Sequence, residues 1–300
     1  MLNKIATIYF MKNMQIIFLL SLFQFTVMAC AGPGVIINPP GYDFSRPKIY
    51  KMPSVLEEIS GIALNHGKTD TVYAEQDEEG KLFYFGLGDA TVKHCKFSKR
   101  GDYEDVAISN GQVIMLRSDG VFFTFALGEI AGKEAGNVME QAGLLPAGEY
   151  ESLYADDNQH TLYTLCKNSS TDKEAGVVSG YIFLMATDGK LALKDRFSIN
   201  EKAIADLAGK ERPRFKPAAM AKNPLTGQWY ILSSVNKTLL VTDAQWKPVN
   251  TYPLAPSLFT QPEGIAFDNA GNMFIANERG NGDAGTILQF TYNKKIPGSK

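Results

Sequence analysis

Glu104, Glu151 and Glu263 each stand two residues ahead of a hydrophobic residue in similar settings, GDYEDVA, GEYESLY and QPEGIA. Carboxylates repeated at one place in a repeated unit converge if the units close on one another. Convergent carboxylates can accept hydrogen bonds from neighbouring strands and tie units together. They can also hold a hard cation such as calcium, which takes roughly six to eight oxygens from carboxylates, carbonyls and waters. With a metal acting as Lewis acid, they can serve hydrolysis. Which of the three applies depends on what positions them.

The positioning elements are legible as a repeat. Anchors fall at Ile62 in EEISGIA, Val106, Leu153, Met220 in KPAAMA and Ile265, at spacings of 44, 47, 67 and 45 residues. A period near 45 residues, with short β-rich runs between Gly, Asn and Asp turns, is the pattern of propeller blades. Inner strands are expected at 61–64, 105–109, 152–155, 219–222 and 264–267, each followed by further strands of its unit. The fifth unit has no outer strand of its own. RPKIYKM, residues 46–52, resembles VNTYPLA ahead of the fifth anchor, and supplying it as the missing strand closes the ring. Closure removes exposed sheet edges. The expected fold is therefore all-β, a propeller of five four-stranded blades over residues 46–293; a degenerate sixth blade in the long interval is the alternative. SINEKAIADLAGKERPRF, 198–215, carries an Asn200 cap and a helix-forming run ending at Gly209, and reads as a helical insertion. Residues 128–148 read as a second excursion.

Side chains alternate along a strand, so the positions two and four residues before the anchors share a direction. These are Ser60, Glu104, Glu151, Ala218 and Glu263, and Glu58, Asp102, Glu149, Lys216 and Gln261. The returning second strands end beside them with Glu75, Arg117, Lys167, Ser234 and Asn277, and Glu278 just beyond. The cation site expected on this basis is Glu263 with Asn277 or Glu278, joined by Glu58 and Glu75. Ser60, Asp102, Glu104, Arg117, Glu149, Glu151 and Lys167 complete the channel mouth, with Arg117 and Lys167 placed to neutralise Glu104 and Glu151.

The ends of the chain carry a different message. MKNMQIIFLLSLFQFTVMAC, 11–30, has the charged start, apolar run and small-residue approach of a secretory signal. Val27-Met28-Ala29-Cys30 resembles a bacterial lipobox, in which cleavage leaves a lipid-bearing Cys30. On that reading residues 1–29 are a signal peptide with Met11 a candidate start, 30–45 a lipid-anchored linker and 294–300 a tail. A plain signal peptide or an anchor is the alternative. Removing 1–29 takes away Lys4 and Lys12, leaving 28 basic against 32 acidic residues, a balance of −4. That balance excludes a basic nucleic-acid face, and nothing in the body of the chain has the apolar length of a membrane helix. Localisation in the cell envelope, at a periplasmic or outer-membrane face, follows.

Catalytic signatures are absent. His66, His94 and His160 have no metal-ligand spacing and read as routine polar contacts. There is no GxSxG elbow or Walker loop, and SSTDKEAG, 169–176, reads as a polar hairpin tip. Cys95 and Cys166 are expected as core thiols too far apart to pair. Tyr103, Tyr150 and Phe215 are either contact residues near the mouth or core plugs.

The ordered set ISGIA at 59–63, TVYAEQDEEGKLFYF at 71–85, YEDVA at 103–107, YESLYAD at 150–156 and QPEGIAFDNAGNMFIANE at 261–278 resembles the SdiA-regulated family of bacterial envelope propellers. The resemblance spans residues 45–293; the fourth unit departs from it with Ala218. It implies an exported β-propeller with a calcium link and no assigned reaction. The function expected is a lipid-anchored, monomeric binding or scaffold module, or a calcium-responsive one. It would engage a protein, glycan or small molecule and sit on the membrane through Cys30. The alternative is a metal-dependent hydrolase of lactonase or phosphoesterase type using the same carboxylates.

Overall fold

The computed structural model describes residues 37–209 and 214–298. The signal segment, Cys30 and residues 210–213 of the insertion lie outside the described residues. Strand β1 (Lys48–Lys51) comes first in the chain but is the outer strand of the last blade. Blade 1 is β2 (Ile59–Leu64), β3 (Val72–Gln76), β4 (Lys81–Phe85) and β5 (Lys93–Lys96). Blade 2 is β6 (Tyr103–Ser109), β7 (Gln112–Arg117), β8 (Phe122–Ala126) and β9 (Met139–Gln141). Blade 3 is β10 (Glu149–Asp156), β11 (Thr161–Asn168), β12 (Val177–Met185) and β13 (Leu191–Asn200). Blade 4 is β14 (Ala219–Lys222), β15 (Trp229–Ser233), β16 (Thr238–Thr242) and β17 (Pro248–Pro253). Blade 5 is β18 (Gln261–Phe267), β19 (Met273–Glu278) and β20 (Thr286–Phe290), completed by β1.

All pairings within the blades are antiparallel, and the five sheets form a five-bladed β-propeller. Lys48 to Lys51 pair with Gln289 to Thr286, so the ring is closed by an N-terminal strand as the sequence predicts. No sixth sheet occurs among the described residues.

The core is divided into five apolar clusters, one in each seam between adjacent blades. This explains why strands such as VFFTFAL alternate poorly: both faces of a blade are covered. It also explains the GIA repeat. A Cβ at Gly61 would sit 2.3 Å from an Asp105 carboxylate oxygen and 2.6 Å from the Asp105 Cα. One at Gly264 would sit 2.3 Å from the Ser60 carbonyl oxygen. Inner strands of neighbouring blades approach too closely there for any side chain.

Three stretches differ from the sequence reading. The excursion after β8 is a 3-10 turn, Leu127–Ala131, followed by β9, and therefore holds the outer strand of blade 2. SSTDKEAG folds as helix α1 (Ser170–Ala175), whose Ser169 cap accepts the Asp172 N–H. By contrast, helix α2 (Glu201–Ala208) follows the sequence reading, capped by the Asn200 side chain and stopped by left-handed Gly209. The stretch before β1 packs firmly where a linker was expected. Tyr42 is fully buried, its hydroxyl donating to the Gly271 carbonyl at 2.7 Å and accepting from Asn223 Nδ2 at 2.8 Å. Phe44 packs against Phe259 and Phe290. Among the described residues no helix is long and apolar enough to cross a membrane.

Candidate functional site

Glu104, Glu151 and Glu263 point into the channel because the inner strands bulge there. Tyr103 pairs with Arg117 and Asp105 with Leu116, leaving Glu104 as the extra residue. Glu151 is extra between the Tyr150–Cys166 and Ser152–Leu165 pairs, and Glu263 between Pro262–Asn277 and Gly264–Ala276. Blade 1 has the same irregularity between Ile59 and Ile62, which contain Ser60. A bulge leaves one residue unpaired and re-aims its side chain. In blade 4 the strand begins only at Ala219, and neither Ala218 nor Lys216 contributes a carboxylate to the mouth. Tyr103 and Tyr150, next to the bulged glutamates, turn the other way into the seams and are buried. Their hydroxyls donate to the carbonyls of Lys99 and Pro146, each four residues back. Phe215 is buried as well. All three are core plugs.

The mouth is a cavity of about 330 Å³ lined by Ser60, Asp77, Asp102, Glu104, Ser118, Glu149, Glu151, Lys167, Glu263 and Glu278. Seven of these are carboxylates and one is a cation. Lys167 pairs with Glu151. Ser118 Oγ donates to Asp102. From blade 4, Lys237 donates to the Thr260 carbonyl at 2.5 Å, and burial lowers the pKa of its ammonium against the opposing charges of Glu263 and Glu278.

The crowding perturbs the acids. Burial, then the charge of Asp102, pushes the Glu104 carboxyl up to about 8, against the pull of Lys167. Burial and then Glu263 push Glu278 up to about 7. Burial also raises Glu263, partly offset by a Ser234 hydrogen bond, and raises Asp77, with Glu58 adding to it. Like charges in a low-dielectric cleft disfavour ionisation.

Four expected members do not line this cavity. Glu75 is wholly buried inside the blade 1 seam and accepts the Gly61 N–H at 2.6 Å. Burial holds it well above the usual carboxylate range, with Asp105 adding its charge. Asn277 is wholly buried and donates to Thr286 Oγ1 at 3.3 Å. Arg117 turns outward to Asp119 at 2.8 Å and lies over the Phe123 ring. Glu58 lines an adjacent depression with Glu57, Gln76 and Glu79. Side-chain direction at the end of a second strand depends on the bulge opposite, which alternation alone does not reveal.

Two lining residues are additional, Asp77 and Ser118, each one residue past the end of a second strand. Asp77 Oδ1 is buried without a hydrogen-bond partner. The signal for both was the polar residue following β3 and β7. The donor set is all oxygen and strongly anionic, which suits a hard cation in type and charge. Among the described residues no group of three acidic, histidine or cysteine side chains is drawn together as a ready-made metal cluster. Cys95 and Cys166 are buried free thiols in different blades.

Fold and channel together define a five-bladed β-propeller with an acidic mouth. No family model matches the chain, and no curated protein matches it. Among solved structures it is similar to a luciferin-regenerating enzyme, with TM-score 0.52 and 13% identity over 85% of this chain and 98% of that one. A catalytically inactive H270A virginiamycin B lyase from Staphylococcus aureus with quinupristin aligns at TM-score 0.49 and 11% identity, covering 83% of this chain and 100% of that one. A chain of a nidogen/laminin complex aligns at TM-score 0.45 and 12% identity, covering 73% and 72%. At such identities the likeness concerns the fold alone.

Proposed function

We propose that this protein is a lipid-anchored binding module of the bacterial cell envelope, akin to the SdiA-regulated propellers, whose acidic channel mouth takes up calcium. The observation that carries the reading is the convergence of seven carboxylates on a mouth with one lining lysine. Such an arrangement holds a proton or a cation in preference to bare negative charge. Glu104, Glu263, Glu278 and Asp77 are the residues that would hold the ion, with waters completing its shell. The bulged glutamates are not gathered into a rigid cage, so the affinity expected is that of extracellular calcium modules, roughly 0.1 to 1 mM. Bound calcium would draw blades 1, 2 and 5 together at the mouth and stiffen it for a protein, glycan or small-molecule partner.

The test is thermal unfolding of EDTA-stripped protein with and without calcium. A ligand at 100 times its dissociation constant adds roughly 2.7 kcal/mol, a shift of several degrees. An unmoved midpoint at 20 mM calcium rejects calcium binding and leaves the acids as proton-sharing blade ties.

A further inference from the structure

The inner strands end at the opposite mouth of the channel, where a larger cavity of about 620 Å³ opens. The turn after β2 carries His66, whose Nδ1 lies 2.7 Å from Asp157 Oδ2 of blade 3. His66 therefore reaches past blade 2 across the ring. A carboxylate only accepts hydrogen bonds, so Nδ1 carries the proton of this pair and Nε2 is the ring nitrogen left to act as a base in the neutral imidazole. The His66 side chain is 54% exposed and Asp157 25%. Asp157 is itself oriented, its Oδ1 accepting from Ser109 Oγ and from the Asn110 N–H of blade 2.

The turn is held from the other side too. Asn269 of blade 5 donates its Nδ2 to the His66 carbonyl at 2.8 Å and its N–H to the Gly67 carbonyl at 3.1 Å. His66 has φ of 52°, a left-handed conformation that few non-glycine residues adopt. Backbone of that kind persists where its surroundings over-determine it. A base whose ring is oriented by a carboxylate is the base-and-orienter half of the arrangement that activates a nucleophile, and Ser109 Oγ in turn steadies that carboxylate.

The rest of the cavity suggests what that base would act on. Lys222, the one lysine in the lining, pairs loosely with Asp156 Oδ2 at 3.6 Å and lies 5.6 Å from the Trp229 ring centroid. The other lining acids are committed to turns: Asp268 accepts the N–H groups of Ala270 and Asn272, and Asp156 those of Asn158 and Gln159. Leu64, Ile108 and Phe267 supply an apolar wall. Three aspartates in the lining disfavour a multiply charged phosphoester. An uncharged carbonyl compound with an apolar acyl part suits both wall and charge.

We propose that this mouth is a hydrolytic site for small carboxylic esters or lactones, with His66 as general base, Asp157 as its positioning residue and Lys222 facing the oxyanion. His66 Nε2 takes a proton from water as the water oxygen bonds to the carbonyl carbon. The carbonyl π pair moves onto oxygen, toward the Lys222 ammonium. The adduct collapses, the bond to the leaving oxygen breaks, and that oxygen takes the proton back from Nε2. The products are a carboxylic acid and an alcohol, and nothing is oxidised or reduced. The site is separate from the acidic mouth and needs no calcium.

The test is turnover of p-nitrophenyl acetate, p-nitrophenyl butyrate and γ- and δ-lactones by the purified full-length protein, assayed in parallel with EDTA and with added calcium. The expected result is turnover that falls at least 100-fold in H66A and H66Q and at least 10-fold in D157N, with melting temperatures unchanged. In ¹⁵N spectra D157N should also shift the His66 tautomer toward a proton on Nε2, and its loss of turnover should fall on kcat with KM unchanged, a split that a merely structural carboxylate would not give. Hydrolysis equal in wild type and H66A, absence of hydrolysis across the panel, or turnover that requires calcium would each overturn the proposal. The last result would leave the calcium reading standing, and a failed calcium shift would leave this one untouched.

Discussion

The Asp105 carboxylate of blade 2 accepts the backbone N–H of Leu153 in blade 3 at 2.6 Å, while its other oxygen accepts the Val106 N–H at 2.8 Å. One side chain thus ties the inner strands of two neighbouring blades. It is buried, its carboxyl pushed well above the usual range by burial and pulled back by those two hydrogen bonds. Asp105→Ala strips a partner from two buried N–H groups. The expected loss is about 3 kcal/mol, since each unmet donor costs about 1–3 kcal/mol. Urea unfolding measures it; a loss below about 0.5 kcal/mol would show that the seam does not need the tie.

Acidic-mouth titration gives stability a definite sign with pH. Glu104 rises from 4.5 to about 8 on folding, and Glu278 from 4.5 to about 7. Between the unfolded and folded values the native state holds protons that the unfolded state has released. Their contribution is full below pH ~4.5 and is lost as pH rises toward about 8. Calcium-free protein should therefore have a lower urea midpoint at pH 8 than at pH 5.5, and Glu104→Gln should flatten that slope. A midpoint that climbs over this range in wild type would contradict the crowding.

Calcium competes with those protons, so its stabilising effect should grow from pH 6 to pH 8. Glu263→Gln should reduce the calcium-dependent shift in melting temperature at least by half. Glu75→Gln should retain the shift, because Glu75 faces the Gly61 N–H inside a seam. If Glu263→Gln responds like wild type, the ion binds elsewhere.

The N-terminal strand is part of the ring. Deleting residues 31–53 removes β1 together with Tyr42 and Phe44, exposing the β20 edge and part of the seam between blades 4 and 5. The deletion should abolish cooperative unfolding or lower the midpoint by more than 10 °C, on the scale of ~4 °C or less per kcal/mol for a chain of this size. Tyr42→Phe is the milder probe. It leaves the Gly271 carbonyl and the Asn223 amide without their partner, for an expected loss of about 1–3 kcal/mol.

Lipidation is tested in cells. Cys30→Ala, or globomycin treatment, should leave an unlipidated precursor, and wild-type protein should incorporate labelled palmitate. Absence of label would reject the lipobox reading of Val27–Cys30.

Local chemistry was enough to define much of this protein. The spacing of Ile62, Val106, Leu153, Met220 and Ile265, with Gly and Asn turns between, sets the blade count because each unit must bury both faces against its neighbours. The likeness of RPKIYKM to VNTYPLA was sufficient to find the closing strand, and Asn200 and Gly209 to bound α2. The acidic mouth was legible in outline, since Glu104, Glu151 and Glu263 recur at one place in the repeat.

Side-chain direction was decided only in three dimensions. A one-residue slip in register sends a side chain to the other face, and the bulges at the blade starts are such slips. They turn Glu104, Glu151 and Glu263 into the channel, while Glu75 and Asn277, on the strands opposite, stay inside the seams. Arg117 found Asp119 two residues away before it could reach Glu104. His66 and Asp157 belong to different blades and are 91 residues apart, so neither turn carries a local mark of the other. Ring closure brings them together, because contact across a channel depends on how many blades close the circle and how far each turn reaches over it.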